Sequence, residues 1–136
     1  MSEGKNLVVA AGVLLAIVLA AHVHSDSVSD FYEGRQVRLL IGYSAGGGYD
    51  TYARLLARHL GKHIPGNPTV VPQNMPGAGS LTVANFLYNV APKDGSVIGT
   101  FARGMAMEPL LSGDGTRFNA SEFSWIGSLN LSLIHI

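Results

Sequence analysis

Two glycine-rich segments are the part of this sequence best suited to binding chemistry. Residues 44–48 read Ser-Ala-Gly-Gly-Gly, and residues 74–80 read Asn-Met-Pro-Gly-Ala-Gly-Ser. Glycine has no Cβ and lets a ligand approach the backbone closely. Where such a segment leads into a helix, the free N–H groups and the helix dipole can bind an anion without any Lys or Arg. The two segments therefore predict an anion site built from backbone amides.

The flanking residues place each segment between a strand and a helix. The apolar run 37–41 predicts a buried strand, and Asp50 is a candidate N-cap for a helix over 51–60. Ser80 is the corresponding candidate cap for a helix over 81–90. The other expectations are strands over 69–71 (interrupted by Pro72), 96–101 and 123–128, a short helix over 105–111, Gly61 at the C′ position, and a buried helix face of Tyr52, Leu55, Leu56 and Leu60.

This order of elements predicts the fold class. Strands that alternate with helices of about ten residues are typical of a parallel α/β sheet covered by helices. Ligands of such sheets bind beyond the carboxyl ends of the strands, which is where both glycine segments fall. Arg103 follows the strand over 96–101 and is a further candidate, because a guanidinium can bind a carboxylate through two hydrogen bonds.

The composition excludes several classes of function. The 136 residues include nine Lys and Arg against nine Asp and Glu, so no nucleic-acid partner is expected. The absence of Cys excludes disulfides, thiol catalysis and Cys-based metal sites. His59 and His63 lack the acidic companion of a metalloprotease helix, and we interpret them as a solvent-exposed face. No metal or cofactor is expected.

The first 25 residues differ from the rest of the chain. Residues 7–21 carry no charge; Lys5 precedes them and a His-Val-His-Ser segment follows. This order is typical of a secretory signal peptide, whereas a membrane-spanning helix needs ~20 apolar residues. We predict a signal peptide over 1–25 and a periplasmic location. Retention of this segment as an uncleaved membrane anchor is the alternative.

Ser44 supports a different interpretation. The segment 42–46 matches the G-x-S-x-G nucleophile elbow of α/β serine hydrolases. In that elbow the helix begins at the nucleophile, whereas here three glycines and Tyr49 precede Asp50. His59 lies toward the far end of the predicted helix. A serine hydrolase therefore stays as the alternative function, and an N-terminally anchored interaction domain without a small ligand is a third.

Three motifs, in order along the chain, resemble the substrate-binding proteins of tripartite tricarboxylate transporters, also called Bug receptors. Residues 37–57 are similar to their strand, their glycine loop ending in Asp, and their Ala-Arg-x-Leu-Ala helix. Residues 70–79 resemble their Val-Val-x-Asn-x-Pro-Gly-Ala-Gly motif, and 91–95 resemble their Ala-Pro-Asp-Gly turn with Lys93 as an extra residue. The resemblance spans 31–128, and Ser44-Ala45 stands where the family usually has prolines.

The resemblance implies a solute receptor rather than an enzyme, with a two-lobed periplasmic-binding-protein fold of type II. It implies that amides of the glycine loops hold a small carboxylate between the lobes. The receptor, expected to be a monomer, would deliver this ligand to membrane transporter subunits. Carried over by position, the resemblance nominates Ser44, Ala45, Gly46, Gly47, Gly48, Asp50, Gly77, Ala78, Gly79 and Ser80.

The resemblance also suggests how the chain is divided. Members of the family are more than twice as long, so residues 26–130 correspond to a first-lobe portion of the solute-binding domain. Residues 131–136, Leu-Ser-Leu-Ile-His-Ile, contain no cap, turn or charge. We expect them to be a truncated or non-native tail, and we expect weak or absent ligand binding without the second lobe.

Overall fold

A computed structural model describes residues 26–111 and 113–129 of the chain. Within these ranges three strands form one sheet, and helices lie on both of its faces. Short 3₁₀ turns follow the second helix, precede the third, and lie near the end of the described chain. The elements are α1 (Asp26–Tyr32), β1 (Gln36–Ile41), α2 (Gly48–Leu60), β2 (Thr69–Asn74), α3 (Leu81–Asn89), β3 (Val97–Thr100) and α4 (Glu108–Leu111).

The sheet has the strand order β2-β1-β3, and both neighbours of β1 run parallel to it. Gln36 lies opposite Thr69 at the start of the β1–β2 pair, and Ile41 lies opposite Asn74 at its end. On the other side of β1, Ile41 lies opposite Thr100. The α/β class and the parallel sheet predicted from the alternation of elements are therefore confirmed.

The face of the sheet that carries α2 holds the first hydrophobic core. Val37, Leu39 and Ile41 alternate along β1 and so point to the same face, where each is at most 1% exposed. Leu56 and Leu60 of α2 pack against them. The buried members of this core are Val37, Leu39, Ile41, Ala53 and Val70.

The opposite face carries α3 and the second core. Val83 and Ala84 of α3 are fully buried. Leu87 covers Gly99 of β3 so closely that a Cβ atom on this glycine would collide with the leucine side chain. The two helices lie on opposite faces because the crossover after β1 and the crossover after β2 lead in opposite directions along the sheet.

The buried face of α2 differs from the one predicted. Tyr52 and Leu55 were expected to be buried, but their side chains are 47% and 49% exposed. The small Ala53 is fully buried instead and belongs to the hydrophobic core on this face of the sheet. An alanine at this position lets the helix backbone approach β1, and the larger residues on either side are turned toward solvent.

Gly61 does not terminate α2 as predicted. Its backbone has φ −55° and ψ −39°, which is right-handed, so the chain continues into a 3₁₀ turn over Gly61–His63 rather than ending in a left-handed C′ residue. Glycine is required for a different reason. The carbonyl of Pro68 approaches Gly61 so closely that a Cβ atom would collide with it.

Pro72 does not interrupt β2, which contradicts the prediction. Thr69 donates its N–H to the carbonyl of Arg35, and Met75 donates its N–H to that of Ile41. Because alternate residues of a parallel strand face the same neighbour, the backbone nitrogen of Pro72 points away from β1 toward the free edge. Proline is tolerated there because no ladder hydrogen bond needs its missing N–H.

The strand predicted over 123–128 is not formed. The segment has no regular structure, and Ile126 is 83% exposed. Its aromatic residues pack on the end of β3 instead, with Phe123 and Trp125 in ring contact with each other and with Phe101. Trp125 also donates its indole N–H to the carbonyl of Ala120 at 2.9 Å. Aromatic packing therefore replaces backbone pairing.

Some further expectations differ or lie outside the described residues. The helix predicted over 105–111 is confined to α4, and α1 was not predicted at all. The signal peptide over 1–25 and the tail over 131–136 fall outside the described ranges, so both stay predictions. In the described part of the chain, no helix combines the length and hydropathy that a membrane span requires.

Candidate functional site

Both glycine segments lie at the carboxyl edge of the sheet. The first follows β1, which ends at Ile41, and the second begins at Asn74, the last residue of the neighbouring β2, directly opposite Ile41. Residues 44–48 and 77–79 are exposed at this edge. Strand order reverses between β1 and β3, and α/β sheets bind ligands in the crevice at such a reversal. The first segment borders that crevice.

The first segment enters α2 differently from the prediction. Gly47, with φ −82° and ψ 173°, is the N-cap residue, and α2 begins at Gly48. Asp50 is therefore the third residue of the helix rather than its cap. Its carboxylate turns back and accepts the N–H of Gly46 at 2.8 Å, which fixes the loop onto the start of the helix.

The Asp50 carboxylate is the centre of a network that joins three elements. Its two oxygens each accept the Nε–H of Arg54 at 2.9 Å, and Oδ1 also accepts from Nδ2 of Asn74 at 2.8 Å. Nδ2 of Asn74 donates as well to the carbonyl of Tyr43 at 2.9 Å, while its Oδ1 accepts from Nη2 of Arg54 at 2.8 Å. Although Asp50 is only 3% exposed, its carboxylate is fully provided with partners.

These contacts fix the charge of the pair. The hydrogen bond from Arg54, assisted by those from Gly46 and Asn74, holds the pKa of Asp50 far below its usual range. The same hydrogen bond raises the pKa of Arg54. Asp50 is thus an anion at neutral pH that is paired with Arg54, and its oxygens are directed at protein donors. Asp50 therefore shapes the loop, and its nomination as a ligand contact stays a prediction.

The second segment enters α3 through left-handed backbone. Ala78, Gly79 and Ser80 have φ values of 45°, 61° and 81°. The N–H of Ser80 is donated to the carbonyl of Gly77 at 3.0 Å. Left-handed φ at non-glycine residues costs free energy and is often found at functional sites.

Ser80 was predicted to cap α3, and this prediction is wrong. Ser80 occupies the N-cap position, but its hydroxyl makes no hydrogen bond to the first turn. Its Oγ accepts the N–H of Ala102, which follows β3, at 3.2 Å. The fully buried Ser80 side chain therefore connects the second segment to the end of β3. The left-handed backbone of Ser80 directs the side chain inward and away from the helix amides.

Backbone amides near the start of both helices are left for a ligand, among them those of Gly48, Tyr49, Ala78 and Gly79. Gly48 and Tyr49 begin α2, where a helix leaves its first N–H groups without internal partners. Among the described residues, no acceptor contacts the N–H groups of Ala78 and Gly79. The N–H of Gly46 is committed to Asp50 and is unavailable. The donors thus come from both segments, which are held at adjacent strand ends.

The other nominated residues have simpler surroundings. Ser44 and Ala45 are exposed at the tip of the first segment, and Arg103 is exposed just beyond β3. Within the described residues, Arg103 forms no ion pair. No cluster of three or more His, Asp or Glu side chains suited to a metal ion occurs in the part of the chain that the structure describes.

The geometry gives the hydrolase interpretation no support. Ser44 lies four residues before α2 begins, so it is not on a strand-to-helix elbow. Among the described residues, no histidine hydrogen-bonds to Ser44, and His59 and His63 are exposed near the opposite end of α2. A hydroxyl without a neighbouring base has the reactivity of an ordinary serine.

Sequence reasoning missed three features of the site. Arg54 follows Asp50 by four residues, a helical spacing that favours ion pairing and could have been noticed. Asn74 is the first residue of the second segment, but its contacts with residues 24 and 31 positions earlier leave no local pattern. Tyr43 and Tyr49 stack at 4.3 Å across the base of the first segment, which braces its two ends.

Comparison with known proteins finds a protein that is similar to about two thirds of this chain. The chain is 34% identical, over 92 residues, to a Cupriavidus necator protein named "UPF0065 protein in gbd 5'region". The alignment covers 66% of this chain and 28% of the relative, so the chain spans under a third of that protein's length. No family model matches the chain, and no solved structure matches it. The chain is thus similar to one part of a UPF0065 protein.

Proposed function

We propose that this chain belongs to an extracytoplasmic solute receptor of the Bug type, which binds a small carboxylate and delivers it to a tripartite tricarboxylate transporter. The similar Cupriavidus necator protein carries the designation UPF0065, which is that of the Bug-type receptor family. That designation agrees with the motif resemblance at 37–57, 70–79 and 91–95. Binding rather than catalysis is the proposed activity.

The observation that carries this proposal is the arrangement of the free amides near the start of both helices. Those of Gly48 and Tyr49 begin one helix, and those of Ala78 and Gly79 precede another, at the ends of adjacent parallel strands. Four N–H donors can satisfy the two oxygens of one carboxylate, directly or through water. The partial positive charge at a helix N-terminus favours the ionised form of the ligand.

The chemistry of the site favours an organic anion of low charge density. Arg54, the side-chain cation within the network, is neutralised by Asp50, so the amide donors themselves suit a carboxylate better than a polyphosphate. Arg103 beyond β3 is the candidate for a second carboxyl group. The proposed ligand class is therefore a small di- or tricarboxylate.

Amide NMR titration of the full chain with citrate and with succinate tests this proposal. We expect saturable shifts of the Gly48, Tyr49, Ala78 and Gly79 amides, because hydrogen bonding to an anion moves amide resonances even when binding is weak. Succinamide has the same skeleton without charge and serves as the control. Equal shifts with succinamide, or no saturable shift at these amides with either acid, would refute carboxylate binding.

Export is a separate part of the proposal. The apolar segment 7–21 and the polar residues after it support cleavage of a signal peptide before Asp26. Expression of the full chain in a bacterium, followed by cell fractionation and intact-mass analysis, checks this. A periplasmic product that begins near Asp26 is expected, whereas a full-length product in the membrane fraction would support the uncleaved anchor instead.

A further inference from the structure

We propose that Asn74 is a positioning residue that couples the two glycine segments, so that each keeps its binding geometry only while this side chain is in place. Asn74 is the last residue of β2 and the first residue of the second segment. Its side-chain hydrogen bonds, however, are made with Tyr43, which directly precedes the first segment, and with Asp50 and Arg54 of α2. The consequence for ligand binding rests on the function proposed above; the coupling itself does not.

Both hydrogens of the Asn74 amide group are used. One is donated to the carbonyl of Tyr43, just before the first segment, and the other to Oδ1 of Asp50, just after it. The side chain therefore contacts the chain on both sides of the first segment. The amide oxygen accepts from Arg54, which also holds Asp50, so the three side chains form a closed ring.

The second segment is fixed at its other end as well. Ser80 is anchored by the N–H of Ala102 and lies against Gly42, the residue that follows β1. Asn74 thus attaches one end of the second segment to Tyr43 and α2. Ser80 attaches the other end to the ends of β1 and β3. A displacement of Asn74 would move the amides of Ala78 and Gly79 relative to those of α2.

Asn74→Asp is the sharpest variant, because it keeps the shape of the side chain while replacing the donating NH₂ group with a second carboxylate facing Asp50. Asn89→Asp is the matched control. Asn89 also donates both amide hydrogens to backbone carbonyls, those of Asn85 and Arg117, but it lies at the end of α3 away from the site. Each variant loses two hydrogen bonds donated by a side-chain amide, but only Asn74 donates one of them to a carboxylate.

Ligand-free NMR of the full chain gives the first readout. In Asn74→Asp we expect hydrogen exchange at the Gly46 amide to accelerate about tenfold or more, because its acceptor Asp50 is displaced. We also expect the Asp50 carboxyl carbon to titrate at higher pH, and the Ala78 and Gly79 amides to shift. Asn89→Asp should leave all four signals unchanged. Wild-type behaviour of Gly46 and Asp50 in Asn74→Asp would overturn the proposal.

Citrate titration gives the second readout and separates the two proposals. If the wild type binds citrate and Asn74→Asp binds it about tenfold more weakly, both proposals are supported. The affinity is expected to fall because the amide donors of the two segments lose their relative positions. Absence of binding by the wild type would refute carboxylate binding by this chain, while the ligand-free signals would still decide the coupling. Wild-type affinity in Asn74→Asp would overturn the role of Asn74 in binding.

A second variant covers the case in which Asn74→Asp fails to fold. Arg54→Lys retains the positive charge near Asp50, but an ammonium group cannot reproduce the planar fork that bonds Asp50 and Asn74 together. Arg58→Lys, one helical turn further on at an exposed position, is its control. Faster exchange at Gly46 in Arg54→Lys alone supports the coupled ring, and equal exchange in both variants contradicts it.

Discussion

The side chain of Ser80 fills the space at the end of β1 that a side chain at Gly42 would occupy. A Cβ atom built on Gly42 would lie 2.6 Å from Cβ of Ser80, 2.7 Å from its Oγ and 2.8 Å from Cγ1 of Val83. Ser80 can be fully buried there only because residue 42 has no side chain. This contact brings the start of α3 onto the end of the strand that leads into the first glycine segment.

Gly42→Ala should therefore destabilise the protein. The added methyl group overpacks a site bounded by Ser80 and Val83, and overpacking a filled core costs typically about 1–3 kcal/mol. Urea unfolding followed by circular dichroism measures the change. Gly104→Ala is the control, because a Cβ at Gly104 meets no atom within 4 Å. Equal midpoints for the two variants would contradict the close packing of Gly42.

Gly48→Ala should weaken ligand binding without weakening the fold. Gly48 is the first residue of α2, and a Cβ there meets no atom within 4 Å, so the methyl group extends into the space above the free amides. Alanine favours helix by up to about 1 kcal/mol over glycine, so the melting temperature should hold or rise. We expect citrate affinity to fall about tenfold, against no change in Gly104→Ala. Unaltered affinity would place the ligand elsewhere.

Asp50 should make the protein acid-sensitive. Because its pKa is lowered on folding, Asp50 stays ionised in the native state while the unfolded chain takes up a proton below about pH 4. Its contribution to stability is therefore fully present above that pH and is lost progressively as the pH falls toward the native pKa.

Asp50→Asn isolates this contribution. The variant should be less stable at pH 7, and it should lose less further stability than the wild type between pH 5 and pH 3 (a range set by the ordinary Asp pKa of about 3.9). Asp94 and Glu122, whose pKa values are also lowered, act equally in both proteins. Urea midpoints across this range provide the test, and parallel curves would contradict it.

Pro72 should protect the free edge of β2 from pairing with another chain. Pro72→Thr would supply an outward N–H and a residue that favours strands. We expect greater self-association, measured by light scattering during size-exclusion chromatography at rising concentration. Gln73→Thr is the control, because its N–H faces β1 by alternation. An identical elution mass for both variants at all concentrations would show that the proline is not protective.

The architecture could be predicted from the sequence because it depends on local patterns. The apolar runs at 37–41 and 96–101, separated by glycine loops and helical segments, are enough to imply a parallel sheet with its ligand edge. The run over 123–128 has the same local composition, but the rings of Phe123 and Trp125 pack on Phe101 instead. Composition alone does not distinguish these two outcomes.

The details of the candidate site depend on contacts between distant residues. Asp50 and Ser80 have the residue types of helix caps, and this was the reason for assigning them that role. The Asp50 carboxylate instead accepts hydrogen bonds from Arg54 and Asn74, and the Ser80 hydroxyl accepts one from the N–H of Ala102. Since Asn74 and Ala102 lie more than twenty positions away, only the folded arrangement reveals these partners.

The positive φ angles of Ala78, Gly79 and Ser80 determine which amino-acid enantiomer suits this loop. Each has positive φ, yet only the middle one is glycine, so the loop follows a path that suits D-amino acids better than L-amino acids. The Cβ atoms of Ala78 and Ser80 are thus crowded by their own backbone. The burial of the Ser80 side chain offsets this cost at residue 80 only. In a chain assembled by chemical ligation, D-alanine at position 78 would relieve this strain and leave every hydrogen bond of the loop in place.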